Sequence, residues 1–294
     1  MEGLEEYRKA GKIASEIREW SRGLIKPGSK ALDIAEAIEK RILDAKAEIA
    51  FPLNISLNDN AAHYTPSYND ALVLSESDLV TIDLGVHVDG YIADTAYTID
   101  LSGKNQRLVD ASEAGLRAAI ECVKPGVSVS KIGEAIETTI GGYGFKPIEN
   151  LTGHELKQYN LHAGIAIPNI KVPYDWKVEE GMALAIEPFA TNGLGKVIES
   201  KNAEIFSFLA LKPTRMREGK ILLQEVEKRG LLPFAERWYA KKMHPLKLKM
   251  ILRELVEREA LHSYPVLHEK EKGLVSQAEH TIIVTKDGCE VTTR

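Results

Sequence analysis

The chain has little of what marks the specialised classes of protein. Its two cysteines, Cys122 and Cys289, are too few for a disulfide scaffold, and a reducing compartment is the simplest setting for them. Basic residues do not outnumber acidic ones. The formal charge is −5, so the strongly basic face of a nucleic-acid binder is missing and no nucleic-acid partner is expected. No uninterrupted apolar run approaches the roughly 18 residues that a bilayer span requires, and no membrane association is expected. The opening stretch, MEGLEEYRKAGKIASEIREW, is charged throughout and lacks the apolar centre of a secretion signal, which points to a cytoplasmic protein. Apolar content of 44% and charged content of 28% leave a soluble globular chain, long enough for one large domain or two ordinary ones.

What is present begins with an internal echo. Residues 25–39, IKPGSKALDIAEAIE, and residues 123–137, VKPGVSVSKIGEAIE, align without a gap, and Lys, Pro, Gly, Ile, Glu, Ala, Ile and Glu coincide. In each copy a helical pattern runs up to the KPG, over about 4–24 and 106–122. The Pro-Gly ends that helix and an amphipathic helix follows. Two copies are too few for a solenoid. They suit a pseudo-symmetric α+β domain in which each half lays helices on one face of a shared sheet.

Short β-branched or alternating runs, bounded by turn residues, predict strands at 51–57, 79–88, 91–99, 182–187 and 278–285. Between 196 and 272 the character shifts to amphipathic helix, as in LKLKMILRELVEREAL (246–261), and strand-like sequence resumes only near the C-terminus. The expected organisation is one domain over 1–195 plus 273–294, interrupted by a mainly helical subdomain over 196–272.

Within the predicted strands, TIDLGVHVDGYIADT (81–95) reads as a β-hairpin that carries an aspartate on each arm, Asp83 and Asp94. With residues 88 and 89 at the tip, the two lie opposite each other. With Asp89-Gly90 at the tip, a strong turn signal, position 83 faces 96 and Asp94 is a diagonal neighbour. Either register puts both carboxylates on one face, since the side-chain period is two, while Ile82, Leu84 and Val86 take the other. A bare pair would have one pKa pushed strongly upward; a divalent cation between them removes the repulsion instead.

Further ligand types lie elsewhere in the chain. LTGHELKQYNLHAG supplies His154 and His162, MALAIEPF ends its strand on Glu187 before Pro188, and QAEHTIIV opens on Glu279. Such an oxygen-rich set favours Mn, Fe(II), Co(II) or Zn in an open catalytic site over a closed cysteine-rich zinc. Taken singly, each member has an ordinary explanation. A strand aspartate commonly faces water at an edge, a glutamate before proline is commonly a surface strand end, and His63 in NDNAAHYTP would be a loop residue bonded to backbone. His87 at the hairpin and His280 on the face opposite Glu279 stay with such explanations, and His244, His262 and His268 carry no pattern.

The stretches FPLNISLNDNAAHYTP (51–66), IDLGVHVDGYIADTA (82–96), GHELKQYNLHAGIAIPN (153–169), LAIEPFAT (184–191) and EHTIIV (279–284) resemble the methionine aminopeptidases. The long segment between Glu187 and Glu279 resembles the type II branch of archaea and eukaryotes. The resemblance implies the pita-bread α+β fold with pseudo-twofold halves, and removal of N-terminal methionine from peptides and nascent proteins by two divalent metal ions, with preference for a small second residue. It implies that Asp83 binds one metal through both oxygens, that Asp94 and Glu279 bridge, and that His154 and Glu187 complete the second. It assigns His63 and His162 to substrate contact and stabilisation of the reacting centre, Glu187 to proton transfer, and Phe51 and Asn54 to the wall of the methionine pocket. A monomer is the implied state, and ribosome contact is open.

Two rivals share that fold. Xaa-Pro aminopeptidases and prolidases use the same five ligands but usually carry a separate N-terminal domain, whereas this sequence enters its helical repeat within a few residues. A non-catalytic relative that binds RNA or protein would typically have lost ligands, and none is lost here. A mononuclear iron oxygenase would use two histidines and one carboxylate, leaving three acidic residues unexplained.

Overall fold

The two KPG turns each end one helix and begin the next, at equivalent places in two similar half-domains. In the computed structural model, which describes residues 2–294, the first half runs α1 (Leu4–Ser21), α2 (Ala31–Asp44), β1 (Glu48–Leu57), β2 (Asn60–Ala62), β3 (Leu79–Val88) and β4 (Tyr91–Asp100). The second runs α3 (Gln106–Cys122), α4 (Val129–Gly142), β5 (Lys146–Pro147), β6 (Thr152–Lys157), β7 (Asn160–Pro168), β8 (Ala183–Ile186) and β9 (Phe189–Thr191). In both turns the glycine adopts left-handed backbone, φ 86° at Gly28 and 83° at Gly126, which a side chain would strain.

The equivalence reaches past the helices. Gly28 N–H donates to the Leu74 carbonyl at 2.8 Å and Ala31 N–H to Leu72 at 2.9 Å; Gly126 donates to Val178 at 2.8 Å and Val129 to Trp176 at 2.9 Å. Each turn is thus pinned by one short bridge to an extended segment, Lys30 opposite Val73 and Ser128 opposite Lys177. The helices bury matching stripes. Ile34, Ile38 and Ile42 on α2, and Ile132, Ile136 and Ile140 on α4, are all buried at the i, i+4, i+8 spacing of one helix face. Each such side chain contributes about 1.5–3 kcal/mol as an upper figure. The pseudo-symmetric α+β domain expected from the repeat is what forms.

Residues 196–272 differ from expectation in detail. They contain β10 (Val197–Phe208), α5 (Arg217–Val226), β11 (Phe234–Ala235), α6 (Glu236–Ala240), α7 (Pro245–Glu257) and β12 (Leu261–Glu269), so strands return well before the C-terminus. With β2 they form a four-stranded sheet in the order β11-β10-β12-β2. β10 hides from pattern reading because Glu199, Lys201 and Asn202 are charged or polar and lie where the ribbon is exposed or half-exposed. β12 contains Pro265, which ordinarily argues against a strand; it sits at a register shift opposite Ala203. α7 stops short of Leu261 because Glu259 turns left-handed at φ 55° and Ala260 N–H closes back on the Leu255 carbonyl at 2.9 Å. The segment has its own apolar cluster, which includes Phe206, Leu222, Phe234, Leu248 and Leu252.

β13 (Val275–Gln277), β14 (His280–Val284) and β15 (Cys289–Val291) then return to the main body, where β14 lies between β15 and β8 in the sheet β15-β14-β8-β6-β7. The two halves join where β4 runs beside β14. Glu279 N–H donates to the Ala96 carbonyl at 3.0 Å, Asp94 N–H to Thr281 Oγ1 at 2.7 Å, and Thr95 Oγ1 to the Glu279 carbonyl at 2.9 Å. Among the described residues, no helix is long and apolar enough to cross a membrane.

Candidate metal centre

Turn chemistry sets the hairpin register. Asp89 and Gly90 both take positive φ, 51° and 86°, as a tight two-residue hairpin turn requires. Asp83 therefore pairs with Ala96 and Asp94 with Gly85, so the aspartates are diagonal neighbours on one face. The intervening Ile82, Leu84 and Val86 are buried on the other face, in the cluster that α1 and α2 cover. Gly85 is required by packing: a Cβ there would lie 2.2 Å from Cε1 of Phe51.

Asp83, Asp94, His154, Glu187 and Glu279 all line one cavity of about 240 Å³. They arrive on β3, β4, β6, the end of β8 and the residue before β14. Ligand atoms of Asp94, His154 and Glu279 all lie within 4.8 Å of one another. His154 Nε2 is 3.7 Å from Asp94 Oδ2 and 3.6 Å from Glu187 Oε1. Burial pushes the Asp83 carboxyl up to about 7. Burial first, and then the neighbouring carboxylates, raise Asp94, Glu187 and Glu279 well above the usual carboxylate range. Burial, with His162 beside it, holds His154 neutral.

Among the described residues, no lysine or arginine lines this cavity. Oδ1 of Asp83 and Oδ1 of Asp94 are buried without a hydrogen-bond partner. Four crowded carboxylates, two of them with unspent oxygens, and a neutral imidazole are the donor set of a hard or borderline divalent cation.

The remaining candidates sit around this cluster. His162 packs edge-on to His154 with ring centroids 4.5 Å apart. His63 lines the same cavity with left-handed backbone at φ 66°, and its Nδ1 lies 3.2 Å from the Pro265 carbonyl, so the ordinary backbone bond and the cavity position hold together. Burial pulls the His63 imidazole down to about 4. Phe51 and Asn54 line the cavity wall, Asn54 directly opposite Asp83 in the β1–β3 pairing. Asp89 stays at the exposed hairpin tip, and His87 is buried away from the cavity, accepting the Gly90 N–H at 3.1 Å. His280 points to the opposite face and bonds Thr293 Oγ1 at 2.8 Å.

Two residues escaped the sequence reading. Gln277 Nε2 donates to Glu187 Oε2 at 3.2 Å and lies 3.5 Å from Glu279 Oε2, bridging two of the carboxylates. Its spacing of two from Glu279 in extended chain was an available signal. Tyr264, from β12, lines the cavity between His63 and His162, with ring centroids 5.6 Å and 6.3 Å away, and His262 packs on it at 4.6 Å. Nothing local in the sequence announces Tyr264, since its place depends on the fold of the whole 196–272 segment.

Comparison with known proteins is consistent along the chain. The model of metallopeptidase family M24 matches residues 5–286. The methionine aminopeptidase of Archaeoglobus fulgidus is 48% identical over 291 residues, covering 99% of this chain and 98% of its own. That of Thermococcus onnurineus is 47% identical over 295 residues, covering 100% of both. Among solved structures, a thermophilic Arx1 superposes with TM-score 0.86 at 20% identity, covering 98% of this chain and 90% of its own. The methionine aminopeptidase of Thermotoga maritima superposes with TM-score 0.73 at 21% identity, covering 99% and 96%. At such identities these two structures speak for the pita-bread fold alone.

Proposed function

The chain belongs to metallopeptidase family M24, and from that membership we infer that its buried carboxylate cluster is a hydrolytic metal centre. The enzyme removes the N-terminal methionine from peptides and proteins. The observation that carries this is full-length similarity to methionine aminopeptidases, at 45–48% identity in three archaeal relatives. The segment between Glu187 and Glu279 supports placing it in the type II branch.

In this reading Asp83, Asp94, His154, Glu187 and Glu279 would hold two divalent ions, drawn from Co, Mn, Fe(II) or Zn. When bound, such ions lower the pKa of a coordinated water from 15.7 toward about 7 and polarise the scissile carbonyl. The chain's own groups do the rest. Glu187 carries the proton from water to the leaving amine.

The two outer histidines divide their work by tautomer. A neutral His63 whose Nδ1–H donates to the Pro265 carbonyl at 3.2 Å has only an accepting Nε2 left, which suits a substrate N–H. His162 is then the one to donate to the developing oxyanion. Phe51 and Asn54 wall the methionine pocket, and a small second residue passes its rim.

Residues 1–195 with 273–294 are read as the catalytic domain. Residues 196–272 are an inserted subdomain that adds Ile205, Pro233 and Tyr264 to the cavity wall. The working unit in this reading is a monomer acting on peptide and nascent-protein N-termini. The test is a competition between Met-Ala-Ser and Ala-Pro-Ala with added Co or Mn. Release of methionine is the expected result, and preferential cleavage of the proline peptide would overturn the reading.

A further inference from the structure

A second cavity of about 240 Å³ lies behind the carboxylates, on the other face of the β4–β14 junction, and the peptidase reading leaves it unused. Strand alternation puts it there. Where Asp94 and Glu279 point to the metal centre, Thr95 and His280 point away. Arg18 reaches both, its Nη1 3.4 Å from Thr95 Oγ1 and 3.2 Å from His280 Nδ1.

Arginines enter this space from separate parts of the chain: Arg18 on α1, Arg22 just beyond it, Arg117 on the equivalent helix α3 of the other half, and Arg294 at the last position. Their carboxylate partners are few. Glu19 is shared, 3.3 Å from Arg18 and 3.2 Å from Arg22, and Glu113 lies 3.8 Å from Arg117. The Arg18 side chain is only 17% exposed, and its Nε makes no hydrogen bond despite the nearby Glu19. Burial pulls its guanidinium below the ordinary range and the Arg22 charge adds to that, against the opposing pull of Glu19. Arg18 Nη1 also lies 3.5 Å from the Thr293 carbonyl, and Glu113 and Glu279 share the lining. Four guanidiniums against so few carboxylates still leave an excess of positive charge that an anion would offset.

We propose that this cavity binds a phosphate group between Arg18, Arg22, Arg117 and Arg294. A planar carboxylate is satisfied by one two-pronged guanidinium. A tetrahedral dianion offers acceptor oxygens to several guanidiniums arriving from different directions, as they do here. The space exceeds what one phosphate fills, so the group is either the free ion or the end of a phosphorylated small molecule.

Isothermal titration of the Mn-loaded full chain at constant ionic strength tests this, with inorganic phosphate, pyrophosphate and ADP as probes. The double variant Arg117→Gln/Arg294→Gln alters only the exposed mouth and is checked for an unchanged melting curve. Arg18→Gln serves as an independent second variant. Binding weakened about tenfold in either variant is the expected outcome, since each removes charge-assisted bonds to the anion. ADP binding much tighter than phosphate would identify a phosphorylated small molecule, and equal binding would identify the free ion. No binding by the wild type overturns the proposal. So does a change below about threefold in both variants, which would put the anion on the metal ions instead.

Discussion

Arg237 clamps the 196–272 segment to the first half-domain, and cutting that clamp has a size that can be worked out. The residue is buried on α6. One of its guanidinium nitrogens pairs with Glu39 of α2, and the other donates to Thr65 Oγ1 and to the Pro66 carbonyl at 3.3 Å. Glu39, 7% exposed, also accepts from Trp238 Nε1 at 2.9 Å and Leu53 N–H at 3.2 Å. Burial raises the Glu39 carboxyl in spite of the Arg237 charge, so neither ion has water to fall back on.

Truncating either partner alone strands the other and should cost about 3–5 kcal/mol. Replacing both with methionine leaves no stranded charge and should cost far less than the sum of the singles. The coupling read from the double-mutant cycle should therefore reach at least about 2 kcal/mol. For a chain of this size 1 kcal/mol moves the melting temperature by about 2–4 °C, so each single variant should melt roughly 6–20 °C lower. Calorimetry at fixed metal concentration measures it, since bound metal would itself raise the transition. Additive single effects, or single effects below about 1 kcal/mol, would refute the idea of a mutually dependent buried pair.

Three further outcomes follow from particular contacts. Gly85→Ala would force the Phe51 ring off the strand and into the cavity, a Cβ there meeting Cε1 at 2.2 Å; KM for Met-Ala-Ser should rise and stability fall by about 1–3 kcal/mol. An unchanged KM would remove Phe51 from the methionine pocket. Gln277→Leu deletes the amide between Glu187 and Glu279 and should weaken Mn binding about 10–100-fold while the metal-free protein still folds, as read by titration calorimetry. Equal Mn affinity would show that the amide does not position the ligands. His87 gives a pH dependence: burial first, with the Arg229 charge, lowers its pKa from 6.5 to about 4. Its stability contribution is intact above 6.5. It is lost as pH falls toward 4, because the unfolded chain takes up the proton first, by at most about 3 kcal/mol. Urea melts of His87→Gln should show a shallower loss over that window, and parallel curves for the two proteins would count against it.

What could be read from the sequence was what local rules decide. The KPG turns, the helices around them and the isoleucine stripes at Ile34–Ile42 and Ile132–Ile140 follow from 3.6-residue periodicity and from glycine's access to positive φ. The common face of Asp83 and Asp94 follows from the two-residue period of a strand, although only the positive φ of Asp89 selects between the two registers. β10 and β12 obey no such local rule: one is polar along its exposed run and the other contains Pro265, and each is held as a strand by the other.

The same boundary runs through the candidate site. Repulsion between two aspartates on one strand pair was a signal that needed nothing beyond the hairpin. The positions of His154, Glu187 and Glu279 relative to them depend on how β6, β8 and β14 stack side by side, in the order β14-β8-β6. Spacing along the chain carries no such distance, and the resemblance to known enzymes stood in for it. Tyr264 shows where even that substitute fails. It reaches the cavity only because β12 pairs with β2, next to the loop that carries His63, so its place is a property of the assembled sheet rather than of any stretch of sequence.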